Sequence, residues 1–236
     1  MSPNAIVNFV DLLASKPSGN SFDPWNEVDK ENDIGPAAPG IRRKQLIHYL
    51  ETRLVHARFS LVGEGLSYQG GHFTGIPMTS ERILLGFVKK KGVSPDNVLP
   101  RLKPERTSRP EIAPYGFNEP TATIVWGTLL EAGFKGTDFV FWNAFPWHPF
   151  DPAKGILSNR KPTPKELSSS LEITETFLRL FPKTKMIAMG KVAESSLEHV
   201  KRDFCSVRHP AFGGAKEFRR QLLELAKNVS KTAKGK

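Results

Sequence analysis

The chain has a single cysteine among 236 residues. Cys205 alone cannot form an internal disulfide framework or a four-cysteine zinc or iron–sulfur site, and it reads as a small buried hydrophobe in a strand. The six histidines include no HxxxH or HxH pair, so no metal and no other cofactor is expected. Long apolar runs are missing as well, and none approaches the roughly 20 residues that span a bilayer. The start of the chain lacks the basic stretch and apolar run of a secretion signal, so an intracellular protein is expected, cytoplasmic or at the nucleoid in a bacterium. No GxxxxGK[ST] loop, GxGxxG fingerprint or GxSxG nucleophile turn occurs, which counts against nucleotide-cofactor and α/β-hydrolase readings.

Positive charge is abundant. Lys and Arg total 34 against 24 Asp and Glu, a formal charge of +10. Such a balance favours a polyanionic partner, either nucleic acid or an anionic membrane surface. The length and the 39% apolar content suit one domain with one sizeable core.

Residues 1–40 hold Pro17, Pro24, Pro36 and Pro39 with little periodicity, so they read as an irregular N-terminal extension pinned by Phe22 and Trp25. The compact domain is expected over 41–228, and a basic C-terminal tail over 229–236, with disorder from Asn228 onward. From Ile41, apolar Ile47, Leu50 and Leu54 predict a helix leading into a strand over 59–62. Ser80 can cap a helix through Ile83, Leu84, Phe87 and Val88, closed by basic Lys89, Lys90 and Lys91. Five prolines mark 92–118 as a long loop, functional or mobile. A helix over 120–132 stops at Gly133, and a strand over 138–142 follows.

Thr163-Pro164-Lys165-Glu166 combines capping-box spacing with proline at the first helical position. It starts a helix carrying Leu167, Leu171, Thr174, Leu178 and Phe181. A strand over 185–189, a helix over 192–200, a strand over 204–207 and a last helix marked by Phe218, Leu222 and Leu225 complete the reading. Strands alternating with helices predict an α/β fold with a parallel sheet covered on both faces.

Three of these strands stop at small polar clusters: Gly63-Glu64-Gly65, Asn143, and Arg208-His209-Pro210. In parallel sheets ligands bind beyond the carboxyl ends of the strands, so these clusters can share one pocket. The loop over 63–80 holds five glycines that allow close backbone approach to a ligand, with Glu64, Ser67, His72 and Met78 among them.

Taken with Asn143-Ala144-Phe145-Pro146 and His209-Pro210-Ala211, this loop resembles the first motif of the uracil-DNA glycosylase superfamily. The other two family signatures are a strand-terminal Asn and a His-Pro pair. Residues 186–193 are similar to the family's penultimate strand, glycine turn and helix, and the resemblance covers about residues 57–220. It implies a three-layer α/β/α sandwich around a central four-stranded parallel sheet, in a branch without the iron–sulfur cysteines. The implied activity is hydrolysis of the N-glycosidic bond of uracil, extruded from DNA, to leave an abasic site. DNA containing uracil or another damaged base is the implied partner, and a monomer the implied state.

On this resemblance His209 donates to the anion developing at uracil O2, Asn143 reads the N3–H and O4 edge, and Glu64 orients base or water. Gly63, Gly65, Ser67, His72, Phe73 and Met78 form the implied base pocket, with Met78 or Phe73 stacking on the base. Ser80, Lys191, Arg208, Phe212 and Gly213 are implied DNA contacts, Phe212 as a wedge in the base stack. Two departures stand out. Gly65 replaces an Asp or Asn that often positions water, and His72 is a candidate substitute, whereas His148 reads as a loop anchor. Ser67 is small where some members carry a Tyr that blocks the thymine methyl, so a pocket open to other deaminated bases is expected. Gly65 also leaves a second reading open, a non-catalytic binder of uracil-containing or abasic DNA.

Overall fold

A computed structural model describes residues 4–88 and 92–234, with side chains as far as residue 227. The basic run at Lys89, Lys90 and Lys91 lies outside the described residues. The chain opens with α1 (Asn4–Leu12), β1 (Ser21–Phe22), α2 (Ala38–Glu51) and β2 (Phe59–Gly65). Three one-turn helices follow: α3 (Gly71–Thr74), α4 (Glu81–Leu84) and α5 (Pro95–Val98). Next come α6 (Pro120–Glu131), β3 (Phe139–Phe145), β4 (His148–Pro149), α7 (Pro164–Ser169) and α8 (Leu171–Leu180). The remainder is β5 (Lys185–Met189), α9 (Lys191–His199), β6 (Phe204–Val207) and α10 (Ala215–Lys234).

Four strands form one parallel sheet in the order β3-β2-β5-β6. Alternation along β3 separates the helical layers, because successive side chains point to opposite faces. Phe139 and Phe141 meet Trp126 of α6 edge-on at 5.0 and 5.2 Å. Trp142 instead stacks on Phe177 of α8 at 4.8 Å and meets Phe9 of α1 at 5.0 Å. Helices therefore cover both faces, as the three-layer reading requires. β3 is an edge strand, and α2 closes that edge. The Tyr49 hydroxyl accepts from the Phe141 N–H at 2.8 Å, and Arg53 Nε donates to the Phe139 carbonyl at 3.0 Å. Backbone groups that an open edge would leave free are thereby paired.

Residues 4–40 are not an irregular extension but pack into the domain. Ile6, Phe9, Val10 and Leu13 recur at helical spacing and are buried in the main core together with Trp25. The stripe faces inward because α1 packs on α2 and α8, and such an apolar stripe is what a helix buries. β1 pairs antiparallel with β4, and Asp33 is locked to Arg42 at 2.6 Å in a fully buried ion pair.

Other boundaries shift for local reasons. α4 ends at Leu84, short of Val88, because Gly86 takes a positive φ of 78°. The predicted long helix after Thr163 is broken at Ser170 into α7 and α8. The proline-rich stretch 92–118 is anchored: Glu81 accepts from the Thr107 and Ser108 N–H groups at 2.8 and 3.0 Å. The last helix runs to Lys234, so residues 228–234 are helical where disorder was expected. No helix among the described residues is long and apolar enough to cross a membrane.

Candidate active site

β2, β3 and β6 carry the three polar clusters to one end of the sheet, and the register sets Gly63 directly beside Asn143. A cleft of about 350 Å³ opens there, lined by Glu64, Gly65, Ser67, Met78, His209 and Phe212 from the predicted set. A groove of about 390 Å³, lined by Arg82, Phe87, Gly127 and Arg219, gathers none of the predicted residues.

His209 is half-buried, and its Nδ1 accepts the Ala211 N–H at 3.2 Å. A neutral imidazole with Nδ1 accepting carries its proton on Nε2. Burial, reinforced by the cations of Arg208 and Lys161, holds its pKa below the usual histidine range. At neutral pH the ring is therefore an uncharged donor.

Glu64 lies close by on the other side of Gly190. A Cβ on Gly190 would stand 3.1 Å from His209 Cβ and 3.6 Å from Glu64 Oε1, and its φ is +88°. Both the backbone and the space at this turn call for glycine. Burial pushes the Glu64 carboxyl up, and Lys161 opposes that. Among the described residues Glu64 makes no side-chain hydrogen bond or ion pair, so its oxygens are available to a ligand.

Asn143 is buried behind the cleft surface, and its Oδ1 has no hydrogen-bond partner. That oxygen and Met78 Cε come within 2.7 and 2.9 Å of where a Cβ on Gly63 would lie. Glycine at 63 thus makes room for both. Met78 itself takes a left-handed φ of 51°, and Trp126 Nε1 holds its carbonyl at 3.0 Å. At Gly65 a Cβ would be crowded by Pro149 and Pro162, 3.2 and 3.3 Å away. A side chain at 65 would require these prolines to give by a few tenths of an ångström.

Several predicted residues lie elsewhere. His72 is buried away from the cleft: its Nε2 meets Asp29 at 3.1 Å, its Nδ1 meets His148 Nδ1 at 2.9 Å, and its ring stacks on Phe22 at 4.1 Å. It is a core polar link and does not take the place of the missing acid. His148 Nε2 reaches the Ser158 carbonyl at 2.7 Å, as a loop anchor does. Phe73 is fully buried and stacked on Phe117 at 4.3 Å, which leaves Met78 as the candidate that covers a base. Ser80 is fully buried with its hydroxyl unpartnered and presents nothing to a phosphate.

Lys191 is exposed and paired with Glu194 at 2.7 Å. Arg208 is exposed, its backbone N–H donating to Gln221 at 2.6 Å. Phe212 is 96% exposed, and both it and Gly213 have positive φ, 52° and 76°. The turn after His209 thus pushes an aromatic ring into solvent beside the cleft.

Sequence reasoning missed the far wall, which consists of Glu119 and Thr121 at the start of α6 and Asn159, Arg160, Lys161 and Pro162 before α7. The capping box at Thr163 carries part of this wall. Glu166 accepts from the Thr163 N–H at 2.8 Å and also takes Arg160 in a two-pronged pair at 2.6 and 2.7 Å. The cluster Asn159-Arg160-Lys161-Pro162 just before the box was the available signal. Ser67 Oγ accepts from Asn159 Nδ2 at 3.2 Å and ties this wall to the first motif. Among the described residues no group of three or more His, Cys, Asp or Glu side chains is placed to hold a metal ion.

No protein-family model matches the chain, and no curated protein matches it by sequence. Among solved structures it is similar to Pedobacter heparinus SMUG2, at 12% identity with a TM-score of 0.58. That match covers 96% of this chain and 98% of the other. The two proteins share a fold over nearly their whole lengths.

Proposed function

We propose that the chain is a DNA glycosylase that hydrolyses the N-glycosidic bond of uracil in DNA and leaves an abasic site. One observation carries this reading: an uncharged His209 with its proton on Nε2 and an unpaired Glu64 flank Gly190 on a single cleft at the carboxyl end of the sheet. The fold shared with SMUG2, a glycosylase of the uracil-DNA glycosylase superfamily, is consistent with it.

The chemistry follows from these groups. When the bond from the sugar C1′ to the base breaks, its electron pair goes to the base and the sugar gains oxocarbenium character. His209 Nε2–H donates to the anionic carbonyl oxygen of the leaving base, a fixed dipole aimed where charge develops. Water then adds to C1′, and Glu64 takes its proton. A carboxyl raised by burial is a better base than an ordinary one, while Lys161 favours its ionised form. The orphaned Asn143 Oδ1 accepts the ring N–H of uracil, and the flexible Met78 thioether covers the ring. Phe212 fills the space the extruded nucleotide leaves, and Lys161 and Arg208 meet phosphates. Because Ser67 is small, the pocket also admits other deaminated bases.

Incubation with end-labelled uracil-containing DNA, followed by alkaline cleavage at abasic sites, tests the reading. Wild-type protein is expected to yield cleaved strand, and His209→Ala or Asn143→Ala to slow single-turnover excision by about 100-fold. Gly65, which supplies no water-positioning side chain, favours the second reading of a non-catalytic binder. Tight binding without strand cleavage would select that reading, and neither binding nor cleavage would discard both.

A further inference from the structure

Glu119 lines the same cleft from the boundary of α6, yet none of the motifs gives it a role. It is 7% exposed. One carboxyl oxygen, Oε1, accepts from the Thr121 hydroxyl at 3.0 Å, whereas Oε2 is buried with no partner. Gly70 provides the room, since a Cβ there would fall on Oε2. A larger residue at 70 would expel the carboxyl from its place.

The titratable and charged groups on the surrounding elements are Glu64 in β2 and Tyr68 after it, Arg82 on α4, Arg160 and Lys161 before α7, and His209 after β6. None of them forms a hydrogen bond or ion pair with Glu119 among the described residues. Burial pushes its pKa up to about 7, against a smaller opposing effect of the Thr121 hydroxyl. A buried carboxyl without a cation is held neutral, and a neutral carboxyl has an O–H to donate.

Resting on the glycosylase reading, we propose that Glu119 is a specificity-determining residue whose carboxyl O–H donates a hydrogen bond to a carbonyl oxygen of the base held in the cleft. This favours bases that carry a carbonyl where the undamaged base has an amino group, because an amino group would set donor against donor. A phosphate is the poorer occupant. Arg160 on the same cleft is already taken up by Glu166, and once Glu119 ionises it repels an anion.

Two measurements on the full chain test this. The first is a ¹³C NMR titration of labelled glutamate carboxyls, with and without free uracil, which does not depend on catalysis. Uracil accepting from the neutral acid should raise the Glu119 pKa by about one unit, equivalent to a tenfold preference for the neutral form. An unchanged or lowered value, or a spectrum that uracil does not alter, overturns the proposal.

The second is kcat/KM on single-stranded uracil DNA between pH 5.5 and 8.5. Wild type should lose activity as pH rises through about 7. Glu119→Gln, which keeps an uncharged donor, should abolish that falling limb while staying within about threefold of wild type at pH 6. Glu119→Ala should lose about tenfold at pH 6, the effect of one missing hydrogen bond to substrate. A limb that survives in Glu119→Gln, or an unimpaired Glu119→Ala, overturns the proposal. If wild type excises nothing, the glycosylase reading falls, and the NMR titration still decides the role of Glu119.

Discussion

Glu119 weakens the folded protein at neutral pH. Its carboxyl has an ordinary pKa of 4.5 and is pushed up to about 7 in the fold. Between those values the unfolded chain releases a proton that the folded chain keeps, so stability falls as pH rises from about 4.5 to about 7. The loss amounts to roughly 3 kcal/mol. Glu119→Gln removes it, so urea unfolding should show a gain in stability at pH 8 and little change at pH 4.5. Equal effects at both pH values would contradict the buried neutral acid. His209 and Asn143 were legible in the sequence because each stands near the carboxyl end of a strand inside a short motif. Glu119 was not, since nothing in its neighbours distinguishes it from a solvated surface residue, and Lys161 had only the polar cluster before the capping box as a signal. They become site residues when α6 and the loop before α7 close over the strand ends.

α1 is tied to the sheet by Phe9, which touches Trp142 at 5.0 Å and Phe177 at 6.2 Å. Phe9→Ala should cost about 3–5 kcal/mol, visible as a lower urea midpoint with an unchanged slope. A loss under 1 kcal/mol would return the N-terminal segment to the status of an appendage. The segment was misread because prolines and glycines dominate its later half, whereas the helix that matters is one short apolar stripe. The capping box at Thr163 shows the opposite case. Its signal is entirely local, Thr163 and Glu166 standing three residues apart, and the structure forms it as read. What the sequence hid is that Glu166 also holds Arg160 and thereby a wall of the cleft.

The turn after β6 sets Phe212 in solvent, and Gly214 allows the close return of the chain against His209. Phe212→Ala should leave stability unchanged and slow excision from duplex DNA more than from single strands. Equal losses on both substrates would remove the wedge.

The whole molecule carries a charge of +10, and the cleft presents Lys161 on one wall with Arg208 at the turn next to it. Binding to undamaged duplex should therefore be electrostatic, with log K falling against log salt at a slope of about −4 or steeper if five phosphates are neutralised. A slope near zero would separate the charge from DNA binding.

By itself the sequence determined the four strands, their parallel arrangement, most of the helices and the residues at the strand ends. Those depend on periodicity, caps and turn residues within a few positions, where local sterics and hydrogen bonding decide. Tertiary structure alone decided that α1 joins the core, that His72, Phe73 and Ser80 are withdrawn from the cleft, and that Glu119 and Lys161 enter it. It also decided that Pro149 and Pro162 crowd a Cβ at position 65. Each of these depends on which distant segments pack together, and so on burial and unpaired polar groups, which come into being only when the chain closes on itself.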